Sequence, residues 1–201
     1  IGIAPLVSHG VLHDRGWGLM DKTGSVAAPE TERRWRFVPD MLSRIGKTGL
    51  EISTDGTAWL AVPSEAANAA ASKRAGFRVT FRRLATTMEE ASAQQAPPRY
   101  DRGHLHILTT ASLRALAELL PPDSLVDVRR FRPNIVIDMA AAEPGFPDRQ
   151  LIGRRLRIGD ALVAVNEPCE RCSFTALAQG ELPFAKEVLH AIARHGGGGF
   201  G

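Results

Sequence analysis

The apolar positions of this chain recur with a strand period in some stretches and a helix period in others, and the changes between them mark its elements. From Trp17 to Met20, and again from Leu50 to Val62, apolar residues alternate or cluster around Asp21-Lys22-Thr23-Gly24 and Asp55-Gly56, which read as hairpin turns. Ser64 caps an alanine-rich helix that runs to about Ala75 and stops at Gly76. Phe77, Val79 and Phe81 then alternate with Arg78, Thr80 and Arg82, as in a half-exposed strand. From about Met88 to Arg102, including Gln94-Gln95-Ala96-Pro97-Pro98, no period holds, and this segment is expected to be a linker or ordered loop at a domain boundary.

Beyond it, Leu105 to Leu108 predicts a strand feeding a helix whose apolar face is Leu113, Leu116, Ala117 and Leu120, ended by Pro121-Pro122. Thr109, Thr110 and Ser112 crowd the start of that helix. Free N–H groups and hydroxyls there suit a phosphate; equally, Thr110 could be a plain N-cap. Two strands follow, Ile135 to Ile137 and Leu156 to Val165, the second broken near Gly159-Asp160. A last helix from about Pro183 to His195 presents Phe184, Val188, Ala191 and Ile192, and Gly196 stops it. No internal repeat is present. The pattern predicts an α+β protein, predominantly antiparallel β.

Composition narrows the class. A chain of 201 residues with 44% hydrophobic and 23% charged residues can bury a substantial core and is not disordered. Its 25 basic and 22 acidic residues leave a net charge of +3 without a polybasic tract, so no nucleic-acid partner is expected. No apolar run of membrane-spanning length and no basic-then-apolar leader occurs, so no membrane partner and a cytoplasmic location are expected.

Two segments carry chemistry. In Arg129-Arg130-Phe131-Arg132-Pro133-Asn134-Ile135-Val136-Ile137-Asp138, three arginines precede a proline and a β-branched triplet, which describes a rigid turn into a strand with guanidinium forks at its start. Such a turn binds phosphate or carboxylate, although Arg132 could instead form a surface ion pair and Asn134 could cap the strand. Arg129 and Arg130 are weaker candidates, because alternation sends one of them to solvent. Cys169-Glu170-Arg171-Cys172 holds the only cysteines, with Arg171 placed to favour a thiolate. Cys-x-x-Cys alone fits a dithiol redox pair, half a zinc site or coincidence; no second cysteine pair exists, and His190 and His195 are not at finger spacing. His9, His13, His104 and His106 are scattered over two segments and read as solvated or packing residues.

Together these segments resemble the MOSC family, named for the C-terminal domain of molybdenum cofactor sulfurase and including bacterial relatives of the mitochondrial amidoxime-reducing component. The resemblance takes in Leu105-His106-Ile107-Leu108-Thr109-Thr110-Ala111-Ser112-Leu113, Phe131-Arg132-Pro133-Asn134-Ile135, Leu151-Ile152-Gly153 and Arg171-Cys172 with Phe174-Thr175. Upstream, Gly10-Val11 and Asp14-Arg15-Gly16-Trp17 are similar to the stretch preceding the family's N-terminal β-domain. The family's opening strand with Tyr-Pro-x-Lys-Ser, and its closing strand after Phe-Gly-x-Tyr, are not found in the 201 residues.

The resemblance implies a MOSC-type β-barrel with a smaller N-terminal β-domain: residues 1–89 as the N-terminal region, of which 1–16 join the core, and 90–201 as the core domain. It implies the molybdenum cofactor, with Cys172 as metal ligand and catalytic residue, and with pyridoxal phosphate not bound. Cofactor contacts fall to Arg15, Thr109, Thr110, Ser112, Arg132, Asn134 and Arg171, with Arg15 expected at the domain junction beside the site. The implied activity is an oxidoreductase that removes oxygen from N-hydroxylated small molecules such as hydroxylamino bases or amidoximes. Electrons must then come from a partner reductase, ferredoxin-like protein or cytochrome, because this chain has no flavin fingerprint and too few cysteines for an iron–sulfur cluster. The alternative is a cofactor carrier or sulfur-transfer module using a Cys172 persulfide, and a third possibility is a domain with no cofactor.

Overall fold

A computed structural model describes residues 5–7, 10–91, 95–98, 104–140 and 145–201. The chain forms two compact units: Ile1–Leu12, Arg102–Leu177 and Phe184–Gly201 in one, His13–Asp101 and Ala178–Pro183 in the other. The fold is α+β. No helix among the described residues is long and apolar enough to cross a membrane.

The first unit opens with an antiparallel pair, Leu6–Val7 (β1) and Gly10–Val11 (β2). Gly10 has φ +118°, and a Cβ there would lie 2.6 Å from the His104 carbonyl oxygen. Only glycine allows that approach of the N-terminal hairpin to the later chain.

In the second unit, Trp17–Asp21 (β3) runs into the expected turn, where the Asp21 carboxylate accepts from the Thr23 and Ser25 amides. The local hairpin is reduced to one bridge, Met20 with Val26; the main partner of β3 lies far along the chain. Leu42–Gly46 (β4), Gly49–Ser53 (β5) and Leu60–Ala61 (β6) form an antiparallel sheet that contains the expected hairpin around Asp55-Gly56. No periodicity announced β4, because four of its five residues are exposed. Glu65–Ala75 (α1) begins and ends as expected: Ser64 Oγ accepts from the Ala67 amide, and Gly76 is left-handed at φ +77°. Val79–Leu84 (β7) is the antiparallel partner of β3 and pairs in parallel with Gln95–Ala96 (β8). The aperiodic segment thus contributes a short strand, while its residues 92–94 and 99–102 lie outside those described. Fully buried Trp35 meets Phe77 edge-on at 5.1 Å in the core with Leu19, Ala71 and Val79.

The rest of the first unit carries the candidate chemistry. Ile107–Thr109 (β9) leads directly into Thr110–Glu118 (α2), and Ile135–Ile137 (β10) returns parallel to β9. The expected break at Gly159-Asp160 is a hairpin turn between Arg155–Ile158 (β11) and Ala161–Ala164 (β12). Lys186–His195 (α3) buries Val188, Ala191 and Ile192 as expected, but Phe184 precedes the helix and is exposed. The core joins Leu108, Leu116, Phe131, Val188, Ile192 and Phe200, with Phe131 and Phe200 rings 4.6 Å apart.

Antiparallel ladders outnumber the two parallel ones. Among the described residues the strands form five sheets of two or three strands, none of them closed.

Candidate functional site

The arginine-rich segment sends its three guanidinium groups to three different fates. Asp127 caps the 3-10 turn Val128–Arg130, and its carboxylate takes Arg129 Nε at 2.9 Å and Nη2 at 2.8 Å. That pairing holds the Asp127 carboxyl below its ordinary range and fixes Arg129 at the surface. Arg130 turns inward and is completely buried. Arg132 is exposed and left-handed at φ +53°, a conformation that costs a non-glycine residue about 1 kcal/mol or more. Its guanidinium stands over the Phe174 ring, 5.5 Å from the centroid. One of the Arg129–Arg130 pair thus goes to solvent, as expected, but the two are parted by a 3-10 turn rather than by alternation along a strand.

Asn134 acts on the backbone. Its Oδ1 accepts from the His106 amide at 3.0 Å while its own amide donates to the His106 carbonyl at 2.9 Å, locking the start of β10 to the start of β9.

The cysteine segment is laid against the glycine-rich stretch after α3. The Cys169 amide donates to Gly201 O, the Phe200 amide to Cys169 O, and the Arg171 amide to Gly198 O, all at 2.9–3.0 Å. Cys172 then leaves this pairing and opens the 3-10 turn Ser173–Ala176, its carbonyl accepting from the Thr175 amide. Its thiol is exposed, whereas Cys169 is half-buried; neither is in a disulfide. Arg171 folds away from its neighbour: Nη1 donates to Cys169 Sγ at 2.9 Å and Nη2 to Phe131 O at 3.0 Å, with the guanidinium 5.6 Å from the Phe131 ring centre. Its Nε is buried without a hydrogen-bond partner. No group of three or more His, Cys, Asp or Glu suited to a metal ion occurs among the described residues.

The start of α2 is occupied by the protein itself. Thr109, not Thr110, is the N-cap, its Oγ1 accepting from the Ser112 amide at 3.1 Å, and the Thr109 amide donates to Asp148 Oδ1 at 2.9 Å. Burial pushes the Asp148 carboxyl up, against the opposing pull of Ser112 and Thr109. Ser112 Oγ and Asp148 Oδ2 are both buried and reach no partner at hydrogen-bond geometry. The Thr110 hydroxyl donates to Asp138 Oδ1 at 2.7 Å and accepts from the Met139 amide.

Arg15 belongs to the other unit, at φ +51° and 2.8 Å from Asp14 Oδ2. Of the histidines, His106 is buried with Nε2 3.3 Å from Phe200 O, His13 and His104 are exposed, and His9 lies outside the described residues.

Sequence reasoning missed Asp148 and the Gly198–Gly201 backbone, and ranked Arg130 only as a weaker anion contact rather than a buried donor. Nothing distinguishes Arg130 within an Arg-Arg pair, and Gly196 onward read only as a helix stop. The lone signal for Asp148 was its position after Phe146-Pro147, which sets a 3-10 turn at Pro147–Leu151.

Residues 99–201 match the family model described as MOSC domain. This chain belongs to the MOSC family. It is 28% identical to molybdenum cofactor sulfurase of Drosophila mojavensis over 96% of this chain and 27% of that protein. It is 39% identical to molybdenum cofactor sulfurase of Drosophila grimshawi over 44% of this chain and 10% of that protein. With molybdenum cofactor sulfurase 2 of Culex quinquefasciatus it shares 34% identity over 44% of this chain and 12% of that protein. The chain thus spans about a quarter or less of the length of these curated relatives. No solved structure matches it significantly. The MOSC residues present here fit a molybdenum–pterin group by donor chemistry: the exposed Cys172 thiol is a soft ligand, and the exposed Arg132 is a planar fork for phosphate or a ring edge.

Proposed function

We propose that this MOSC chain binds the molybdenum cofactor, with the Cys172 thiolate as its protein ligand to the metal and Arg132 as its anion clamp, and that it reduces N-hydroxylated small molecules. The observation that carries this reading is the exposed Cys172 thiol at the head of a turn whose Phe174 ring bears the Arg132 guanidinium. When bound, the cofactor supplies the two-electron chemistry that removes oxygen from an N–O bond. The chain supplies a ligand and orientation. Cys172 is released from the Cys169–Arg171 pairing at the point where a ligand must face outward, and Arg132 is exposed on a left-handed backbone. Phe174 gives the guanidinium a flat support that restricts its rotamers. Asn134, Thr109 and Ser112 act in this reading as scaffolding behind the site, through His106 and Asp148. An external electron-donor protein completes the reaction.

The relatives' names favour a second reading, in which Cys172 carries a persulfide or the chain carries the cofactor to an acceptor. Both readings share the thiol and the clamp. Metal and pterin analysis of protein made in a host that synthesises the cofactor tests their common ground. The expected result is about one molybdenum and one pterin per chain; finding neither in a full-length form of the protein would overturn the cofactor reading.

A further inference from the structure

We propose that Arg130 is a positioning residue for this site, holding the Cys172-bearing turn at a fixed separation from Arg132. The proposal rests on the reading of Cys172 and Arg132 above. Arg130 has no exposed surface, and its guanidinium reaches carbonyls on two separate segments. Nε donates to Leu125 O at 3.0 Å, while Nη1 donates to Leu177 O at 3.2 Å and more weakly to Thr175 O at 3.5 Å.

Burying a cation is costly, and burial indeed pushes the Arg130 pKa down, with Glu187 and Asp127 opposing it. An apolar side chain would fill the same volume at less cost. What it could not do is bind the backbone of both segments at once. Arg130 itself lies two residues before Arg132, and its acceptors Thr175 and Leu177 lie three and five residues after Cys172. Arg132 and Cys172 lie in or beside 3-10 turns, outside any strand ladder that would set their separation. The planar fork directs several donors in fixed directions, which the single ammonium of lysine cannot do.

The test measures alkylation of Cys172 in the folded, cofactor-free full chain, with iodoacetate and with iodoacetamide, each read by peptide mass spectrometry. A cation held near the thiol favours the anionic reagent, so the parent's iodoacetate-to-iodoacetamide ratio should exceed that of Arg132→Gln by about threefold. Arg130→Lys should lower the ratio to the Arg132→Gln value, while Arg129→Lys, altered in the neighbouring surface pair, should keep the parent ratio. A folded Arg130→Lys protein with the parent ratio would reduce Arg130 to a packing residue, whatever its melting temperature. A parent ratio no higher than that of Arg132→Gln would equally overturn the proposal, since Arg132 would then not face the thiol.

Should Arg130→Lys fail to fold, the parent still decides. Its Arg130 guanidinium protons should exchange with solvent far more slowly than those of Arg129 by nitrogen-resolved NMR, and equal rates would sink the idea. None of these readouts needs the cofactor, so absence of molybdenum would fail the functional reading without deciding the role of Arg130.

Discussion

Arg171 precedes Cys172 in the chain, yet its Nη1 donates to Cys169 Sγ, 2.9 Å away. The two thiols are therefore different in kind. Cys169 is half-buried and accepts a charge-assisted bond, whereas Cys172 faces solvent at the head of a turn. Their spacing alone fitted a dithiol pair among other readings; their surroundings tie Cys169 to Arg171 and leave Cys172 exposed.

Cys172→Ser is expected to abolish molybdenum retention and activity, because a hard hydroxyl is a poor substitute for a soft thiolate. Cys169→Ser should keep most of both while lowering stability by about 1 kcal/mol, through a weakened bond from Arg171. Metal analysis and denaturant melts on the two variants check this. Equal damage from both, together with a Cys169–Cys172 disulfide appearing on oxidation during turnover, would favour dithiol redox chemistry instead.

Arg132 separates stability from function. Its φ of +53° is unfavourable for arginine and easy for glycine, so Arg132→Gly should raise stability by up to about 1 kcal/mol while cofactor retention falls. Arg132→Lys should also weaken retention although charge is kept, since an ammonium cannot reproduce a bidentate fork. Equal cofactor occupancy in the lysine variant and the parent would show that Arg132 serves only the surface.

How far the sequence could be read depends on whether the deciding interaction is local. The cap at Ser64, the stop at Gly76 and the turn at Gly159-Asp160 depend on neighbouring residues, and all three were legible. The pairing of β3 with β7 joins residues some sixty positions apart, and the parallel pairing of β9 with β10 depends on Asn134 and His106, so neither left a periodic trace. At the candidate site, residue type pointed to Cys172 and Arg132. It could not say that Arg171 faces Cys169, that Thr109 rather than Thr110 caps α2, or that Arg130 is buried.

Asp148 gives a pH-dependent test. Its folded pKa is raised above the ordinary value of 3.8, mainly by burial, so at neutral pH the charged carboxylate costs the folded state stability. As pH falls through the raised folded value the native state takes up a proton before the unfolded chain does, and the cost is relieved, fully so below 3.8. Asp148→Asn keeps an acceptor for the Thr109 amide and adds a donor for Ser112 Oγ. The variant should melt at a higher temperature than the parent near pH 7, and the gap should close toward pH 4. A gap that stayed constant or widened on acidification would contradict a raised carboxyl.

The last prediction separates an enzyme from a carrier. If Cys172 holds the metal with a position open to substrate, metal-replete protein given a reduced viologen should deoxygenate a hydroxylamino base or an amidoxime, and cofactor-free protein should not. The chain has no group of its own that could replace the cofactor in this reaction: its two cysteines cannot ligate an iron–sulfur cluster, and it lacks a flavin fingerprint. A carrier using the same thiol gives a different pattern. Sulfur or cofactor would pass to an acceptor protein, Cys172 would be recovered as a persulfide after sulfur loading, and substrate would remain intact even at full metal occupancy. Because both arms depend on Cys172, the Cys172→Ser variant should be silent in each, whereas Cys169→Ser should follow the parent. Uniform failure of metal-replete protein against several N-hydroxylated compounds, alongside a persulfide at Cys172, would make sulfur transfer the function of this chain.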